Sequence, residues 1–493
     1  MAISPNATGN KRLTVLEFAT LIVLAALSFW AVRPLLEEWG LFNVIKTQGI
    51  GYILAYAEST PMRPLHLLAI ALNWELGQGH LIGIAAGNAV MMVLRYGVAR
   101  WAVSPVLAGN DRWVIATLAA VLPAWSGIWF GRFGAAQLSL IFFFAVIGFS
   151  LRLARKWSWS TALACVASVW LLLSVYQALA LCLVAMPLFA LLWQDGTRRT
   201  DQATAPHWQF IRLAVTIGTG FVCYALYAII ASRLLGGGSY EATLAQGSSK
   251  LLTVAGIAQH VMRGYATAFA RDLTLPLMLL LGYFVIGPAL LQQRGERTFV
   301  SAQALFLLLV ASLPLFSLIY MNELHIGDPD RVMLPVATAF VVALLSLMVR
   351  YRPSAGSLLA SRQAAAIVLV LLVVGTLGAA SAKKYADLQE TVLAQTLNAV
   401  ETQQPRSLLL HDATGRLGDV YTFLNPLFSE ALAVHGHNVT ALICTPRDID
   451  RIHPDAQRYP IPTTQRCDEV APMPAPVLVL TVRDENGTIT VRP

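Results

Sequence analysis

The chain has 493 residues, 56% hydrophobic and only 13% charged, with 35 Lys+Arg against 27 Asp+Glu and a formal charge of +8. Soluble domains carry about 25% charged residues, so this composition and a mean hydropathy of +0.61 exclude a soluble globule and leave a multi-spanning membrane protein. The isoelectric point near 9.3 does not point to nucleic acid, because Lys and Arg accumulate in membrane proteins as topology signals.

A helix needs roughly 20 mostly apolar residues to cross a bilayer, so long gaps between charges mark the spans. In chain order the clear gaps are 18–32, 76–94, 113–131, 133–151, 213–232, 273–293, 298–322, 332–349 and 363–382. The gap 157–194 is twice the usual length, has Tyr176-Gln177 at its centre and reads as a helical hairpin. That predicts an all-α polytopic bundle of about 11 transmembrane helices. The apolar stretch 65–74 is short, and is interfacial, re-entrant or a twelfth span. With the N-terminus inside, inner segments hold 16 basic residues and outer loops before Lys383 hold 9, as the positive-inside rule requires. The expected location is a bacterial inner membrane, with a cytoplasmic N-terminus and no cleavable signal peptide.

Composition changes near Ala382. Residues 1–382 form the membrane module, and 383–493 a small extracytoplasmic α/β domain. Residues 383–403 read as an exposed helix, 407–414 and 439–445 as strands with a helical segment between them, and VLVLTV and TITVRP as a hairpin turning at 483–487. Cys444 and Cys467 lie in this tail, where an isolated pair in an oxidising compartment favours a disulfide. Its Gly-x-x-Gly (HDATGRLGDVY, 411–421) lacks a nucleotide-binding context, so the domain reads as acceptor recognition or a structural cover.

The predicted spans are nearly free of charge, whereas ion-coupled transporters carry ionisable groups at mid-membrane. Carboxylates outside the tail concentrate on the outer side, at Glu37, Glu38, Glu58, Glu75, Glu241, Asp272, Glu323, Asp328 and Asp330. A reaction centre is therefore expected at the outer boundary. The first outer loop, Arg33 to about Pro64, opens RPLLEEWGLFN and closes YAESTPMRPLHLL.

This arrangement resembles the membrane glycosyltransferases of the C-type superfold, particularly the O-antigen glucosyltransferase branch. Glu37-Glu38-Trp39 stands for that family's acidic pair and Met62-Arg63-Pro64-Leu65 for its Gly-Arg-Pro-Leu element. Tyr176-Gln177 resembles its Tyr-Gln motif, and 329–335 (PDRVMLP) its late Arg-containing loop. The pair is Glu-Glu here instead of Asp-Asp, and Met62 replaces Gly. The resemblance implies sugar transfer from a polyprenyl-phosphate donor to a glycan or lipid-linked acceptor on the outer face. Such transfer needs a carboxylate base, for which Glu37, Glu38 and Glu58 are candidates. It needs cations for the departing phosphate, and Arg63, Arg132, Arg263 and Arg331 are candidates. Trp39, Tyr56, Trp125, Trp129, Tyr176, Gln177 and His260 are candidates for holding sugar or acceptor.

Each assignment has a plain alternative. Glu37 and Glu38 also suit a solvated juxtamembrane helix, Glu58 a local pair with Arg63, and Arg132 and Tyr176-Gln177 an interfacial anchor. No cofactor is specified. Glu323, His325, Asp328 and Asp330 suit a divalent cation by ligand type, and equally an Asp-Gly turn. The rival functions are a polysaccharide polymerase or ligase, distinguished by product length, and a lipid-linked glycan flippase, which predicts paired repeats and a polar path.

Overall fold

The computed structural model describes residues 7–235 except 36, 123–125, 130 and 196–205; scattered positions from 334 to 349; and 357–493 except 416, 418–426 and 446–464. Among these residues, five helices are long and apolar enough to cross a membrane. They fall within α1 (Ala7–Ala31), α5 (Ile82–Val103), α7 (Gly134–Arg155), α11 (Pro206–Leu235) and α12 (Ser361–Gln403). The predicted spans 273–293 and 298–322, and most of 332–349, lie outside the described residues.

Three predicted spans take other forms. Charge gap 113–131 becomes α6 (Gly109–Val121), 13 residues long, followed by 3₁₀ turns at Ser126–Trp129 and Gly131–Phe133. Pro123 stops it, because the residue before a proline is pushed out of the helical region, and Leu122 is extended at φ −84°, ψ 146°. Hairpin 157–194 becomes α8 (Trp159–Val175), a turn at Tyr176, then the broken pair α9 (Ala180–Val184) and α10 (Met186–Asp195). The stretch 65–74 holds only α4 (Leu68–Leu76), nine residues and about 14 Å at 1.5 Å per residue, too short to span. Arg95, counted by the charge gaps as an inner flanking residue, lies inside α5 and is fully buried.

The helices define two ends. α1, α5 and α7 meet at one, where Arg100 pairs with Glu17 at 2.7 Å and Arg152 lies over Trp101 at 3.9 Å. Asp111 at the start of α6 accepts from the backbone N–H groups of Leu358 and Leu359 at 2.7 and 3.0 Å, anchoring the approach to α12 there. Close helix crossings use small residues, as packing without a hydrophobic gradient demands. A Cβ at Gly134 would come within 2.6 Å of Ala69, and one at Gly220 within 2.6 Å of Val169.

α12 has 43 residues, about 65 Å at 1.5 Å per residue. It crosses the compositional boundary at 382/383 without a break, so its first half serves the bundle and its second half the C-terminal lobe. That lobe is a five-stranded sheet of order β3-β2-β1-β4-β5, from β1 (Ser407–Asp412), β2 (Thr440–Thr445), β3 (Gln465–Arg466), β4 (Val477–Glu485) and β5 (Thr488–Arg492). β1 pairs in parallel with β2 and β4, β2 with β3, and β4–β5 is the antiparallel hairpin. Its turn is tighter than 483–487: Asn486 and Gly487 both take positive φ, 56° and 86°, the two-residue turn whose twist suits a hairpin. A short helix, α13 (Leu427–Val434), packs Phe428, Ala431 and Leu432 against Leu408, Leu410, Ala441 and Ile443. Cys444 and Cys467 form a disulfide with Cα atoms 4.8 Å apart.

Candidate functional site

Arg63 follows α3 (Tyr52–Ser59), which ends where Thr60 turns its hydroxyl and N–H back to the Tyr56 carbonyl at 2.8 and 2.9 Å. The chain then turns from the Thr60 carbonyl to the Arg63 N–H at 2.9 Å, and the Leu65 N–H donates to Ser174 O at 3.1 Å. This lays the Met62-Arg63-Pro64-Leu65 loop on the end of α8. There Tyr176 leaves the helix in an extended conformation, φ −161° and ψ 119°, which turns Gln177 inward.

The result is one closed hydrogen-bonded group. Arg63 Nε donates to Gln177 Oε1 at 3.0 Å, and Gln177 Nε2 donates to Met62 O at 2.6 Å and Tyr224 Oη at 2.7 Å. Tyr224, from α11, donates in turn to Met62 O at 2.8 Å. The Arg63 guanidinium carbon lies 5.6 Å from the Tyr176 ring centre. Arg63 is only 6% exposed. Beside it the rings of Tyr52, Tyr56, His66 and Tyr176 follow one another at 6.5, 6.3 and 6.2 Å.

The acidic pair opens α2 (Glu37–Gln48), where negative charge is favoured by the helix dipole. The two carboxylates part company. Glu37 is exposed and Glu38 is fully buried. Glu38 Oε2 accepts from the Leu35 N–H at 2.9 Å, back across the helix start. Its Oε1 faces Gly131, where an added Cβ would overlap it. Glu38 therefore joins the segment after α1 to the turn that bears Trp129 and Arg132. That turn is held from below: Asn88 and Gln137 side-chain amides each donate to Ile128 O at 2.8 Å, and Ser28 donates to Asn88 at 2.9 Å.

Trp39 turns away from both groups. Its indole N–H donates to Gln389 at 3.2 Å, Gln389 donates to Pro34 O at 2.6 Å, and its ring lies 6.0 Å from His435 of the lobe. As placed it joins bundle to lobe, and its ring is covered by protein. Trp129 is likewise fully buried, beside Gly375 of α12. Tyr56 lies in the ring series beside Arg63. Glu58 is exposed near the end of α3. Arg132 has its backbone in the Gly131–Phe133 turn, with its side chain outside the described atoms. Trp125, His260, Arg263, Arg331 and the Glu323, His325, Asp328 and Asp330 group lie outside the described residues. Among the described residues no three His, Cys, Asp or Glu side chains come together as metal ligands.

Sequence reasoning missed Tyr224 and His66. Nothing in the apolar run around Tyr224 singles it out, whereas His66 stands one turn from Arg63 and was within reach. It also missed Arg95, which donates from one terminal nitrogen to Ala119 O at 2.6 Å and to Leu122 O. Arg95 thus caps the C-terminal end of the short α6, where a cation is favoured. In the lobe, buried Asp412 accepts from Thr414 N, Thr414 Oγ1, Gly415 N and Leu417 N at 2.6–3.0 Å. Burial raises its carboxyl above the usual range while these donors pull it down. Asp412 therefore shapes its own loop.

No protein-family model matches this chain, and comparison with curated proteins finds no match.

Proposed function

We propose that this chain is a membrane glycosyltransferase of the C type. In this reading it is a multi-pass protein of a bacterial inner membrane and presents the lobe outside. It moves a sugar from a polyprenyl-phosphate donor to a glycan or lipid-linked acceptor on that face. The observation that carries the reading is the Arg63–Gln177–Tyr176 group. Two short motifs 114 residues apart in sequence, both named by the resemblance, meet in one buried hydrogen-bonded cluster. A guanidinium oriented by an amide and an aromatic face has the planar fork that binds a ligand phosphate through parallel hydrogen bonds.

Glu38 is the proposed base. One carboxylate oxygen is anchored by the Leu35 N–H and the other is directed at the 126–133 turn. An enclosed carboxylate with one fixed oxygen has the orientation that proton abstraction from an acceptor hydroxyl requires. Glu37 and Glu58, both exposed, then serve the surface. The test is transfer in vitro from a panel of synthetic polyprenyl-phosphate sugars by the purified full chain. One added sugar per acceptor supports this reading, many would mean a polymerase, and none with any donor would end it.

A further inference from the structure

We infer that Gln389, on the helix that carries the lobe, is a positioning residue that clamps the start of α2 and so aims the Glu38 carboxylate. The inference rests on Glu38 as the proposed base. Gln389 is fully buried in the second half of α12. Its amide makes one hydrogen bond on each side of Glu38 in the chain. Gln389 Nε2 donates to Pro34 O at 2.6 Å, and Gln389 Oε1 accepts from the Trp39 indole N–H at 3.2 Å. The next residue, Glu390, pairs with Arg33 at 2.7 Å. Two consecutive residues of one helix thus hold positions 33, 34 and 39.

The carboxylate lies inside that bracket. Glu38 Oε2 accepts from the Leu35 N–H at 2.9 Å, and the Glu38 N–H donates to Leu35 O at 3.2 Å. Leu35 directly follows the residue whose carbonyl Gln389 holds, and Trp39 directly follows Glu38. A shift of Pro34 or Trp39 therefore moves both the carboxylate and the N–H that fixes it. An amide suits this task, because it supplies a donor and an acceptor without adding charge. The Glu390–Arg33 pair is partly exposed and contributes less. Trp39 also belongs to the apolar core of the lobe, together with Phe428 and Leu432. The clamp thus ties the lobe to the carboxylate, and a lobe that shifts takes Gln389 and Trp39 with it. The lobe acts on transfer in this way without supplying a reacting group.

The test uses the purified full chain with a synthetic polyprenyl-phosphate sugar. Gln389→Leu keeps the bulk and removes both hydrogen bonds. It should lower kcat roughly 10–100-fold, as misplacing a reacting group by about 1 Å does, with the KM for donor near its natural value. Trp39→Phe removes one arm, so it should lower kcat less and add little to Gln389→Leu. In a Glu38→Gln background, Gln389→Leu should cost nothing further, whereas a general loosening of the fold would cost as much as in the natural chain. Gln395→Leu is the control on the same helix, because the Gln395 amide holds Ile489 O and the Val491 N–H of β5 at 3.2 and 2.7 Å. It should lower the melting temperature of the lobe and leave kcat unchanged. Hydrogen exchange over residues 35–39 reads the clamp without any chemistry: protection should fall in Gln389→Leu and Trp39→Phe and hold in Gln395→Leu. Unchanged protection there in Gln389→Leu would overturn the clamp. A natural kcat in Gln389→Leu, its full cost in the Glu38→Gln background, or an equal kcat loss in Gln395→Leu would overturn its action through Glu38. Normal transfer by Glu38→Gln would instead remove the base reading, and the exchange result would still decide the clamp.

Discussion

At the end of the bundle that carries Arg100, Arg152 and Arg155, cations are held at the rim by partners of several kinds. Arg100 has Glu17, Arg152 has the Trp101 face and the carbonyls of Gly148 and Trp101, and Arg155 has Pro105 O. At the lobe end Arg63 is drawn under the surface and held by the Gln177 amide and the Tyr176 ring, with fully buried Glu38 on a separate helix start. The first arrangement fixes orientation at the rim, where a partly exposed charge costs little. The second draws a guanidinium and a carboxylate under the surface, where desolvation is expensive. An arrangement of that cost is expected where charge has work to do.

If that contrast is functional, the largest effect belongs to the base. Glu38→Gln should lower sugar transfer by about 10²–10⁴ while donor binding persists, and Glu37→Gln should leave the rate within a few-fold. Transfer and donor binding measured separately decide this, and a normal rate in Glu38→Gln removes the proposed role. Arg63→Ala should cost about 10²–10³ in transfer, with Arg63→Lys recovering part, because a point charge lacks the planar fork. Arg100→Gln at the opposite end should leave transfer unchanged. An equal loss there would erase the distinction between the ends.

Two smaller effects probe the lobe. The Cys444–Cys467 bridge spans 23 positions in sequence, so the double Cys→Ala variant should lose about 3 kcal/mol of lobe stability, read by urea unfolding. The Trp39–His435 contact should weaken with acid. Partial burial, with the charges of Lys46 and His437, holds the His435 pKa below its ordinary value. A depressed histidine pKa means that its contribution to stability is complete above about pH 6.5 and is lost as pH falls through the folded-state value. Protection factors around Trp39, corrected for the intrinsic exchange rate, should accordingly fall on acidification in the natural chain and change less with pH in His435→Gln.

Much of the membrane architecture and nearly all of the lobe's strands were legible as pattern. Charge-free runs mark α1, α5, α7, α11 and the first half of α12, because no charge is tolerated in hydrocarbon without a partner. Alternating apolar residues mark β1, β2 and the hairpin, because a strand buries every second side chain. Charge gaps mislead where a polar group is satisfied inside. Arg95 ends a gap on paper yet lies within α5, since the carbonyls left at the end of α6 receive it. The continuous α12 was equally hidden, because composition changes at residue 382 while helix propensity does not.

The composition and motifs of the sequence by themselves determined that the chain is a membrane protein, that it ends in an α/β lobe, and which short motifs to watch. Only the tertiary structure decided that Glu38 turns inward and Glu37 outward, that Trp39 serves the lobe, and that Arg63 meets Gln177 and Tyr224. Those outcomes depend on where three helices cross and on which carbonyls their ends leave open. Contacts between residues more than 100 positions apart are set by that packing, and no local pattern along the chain encodes them.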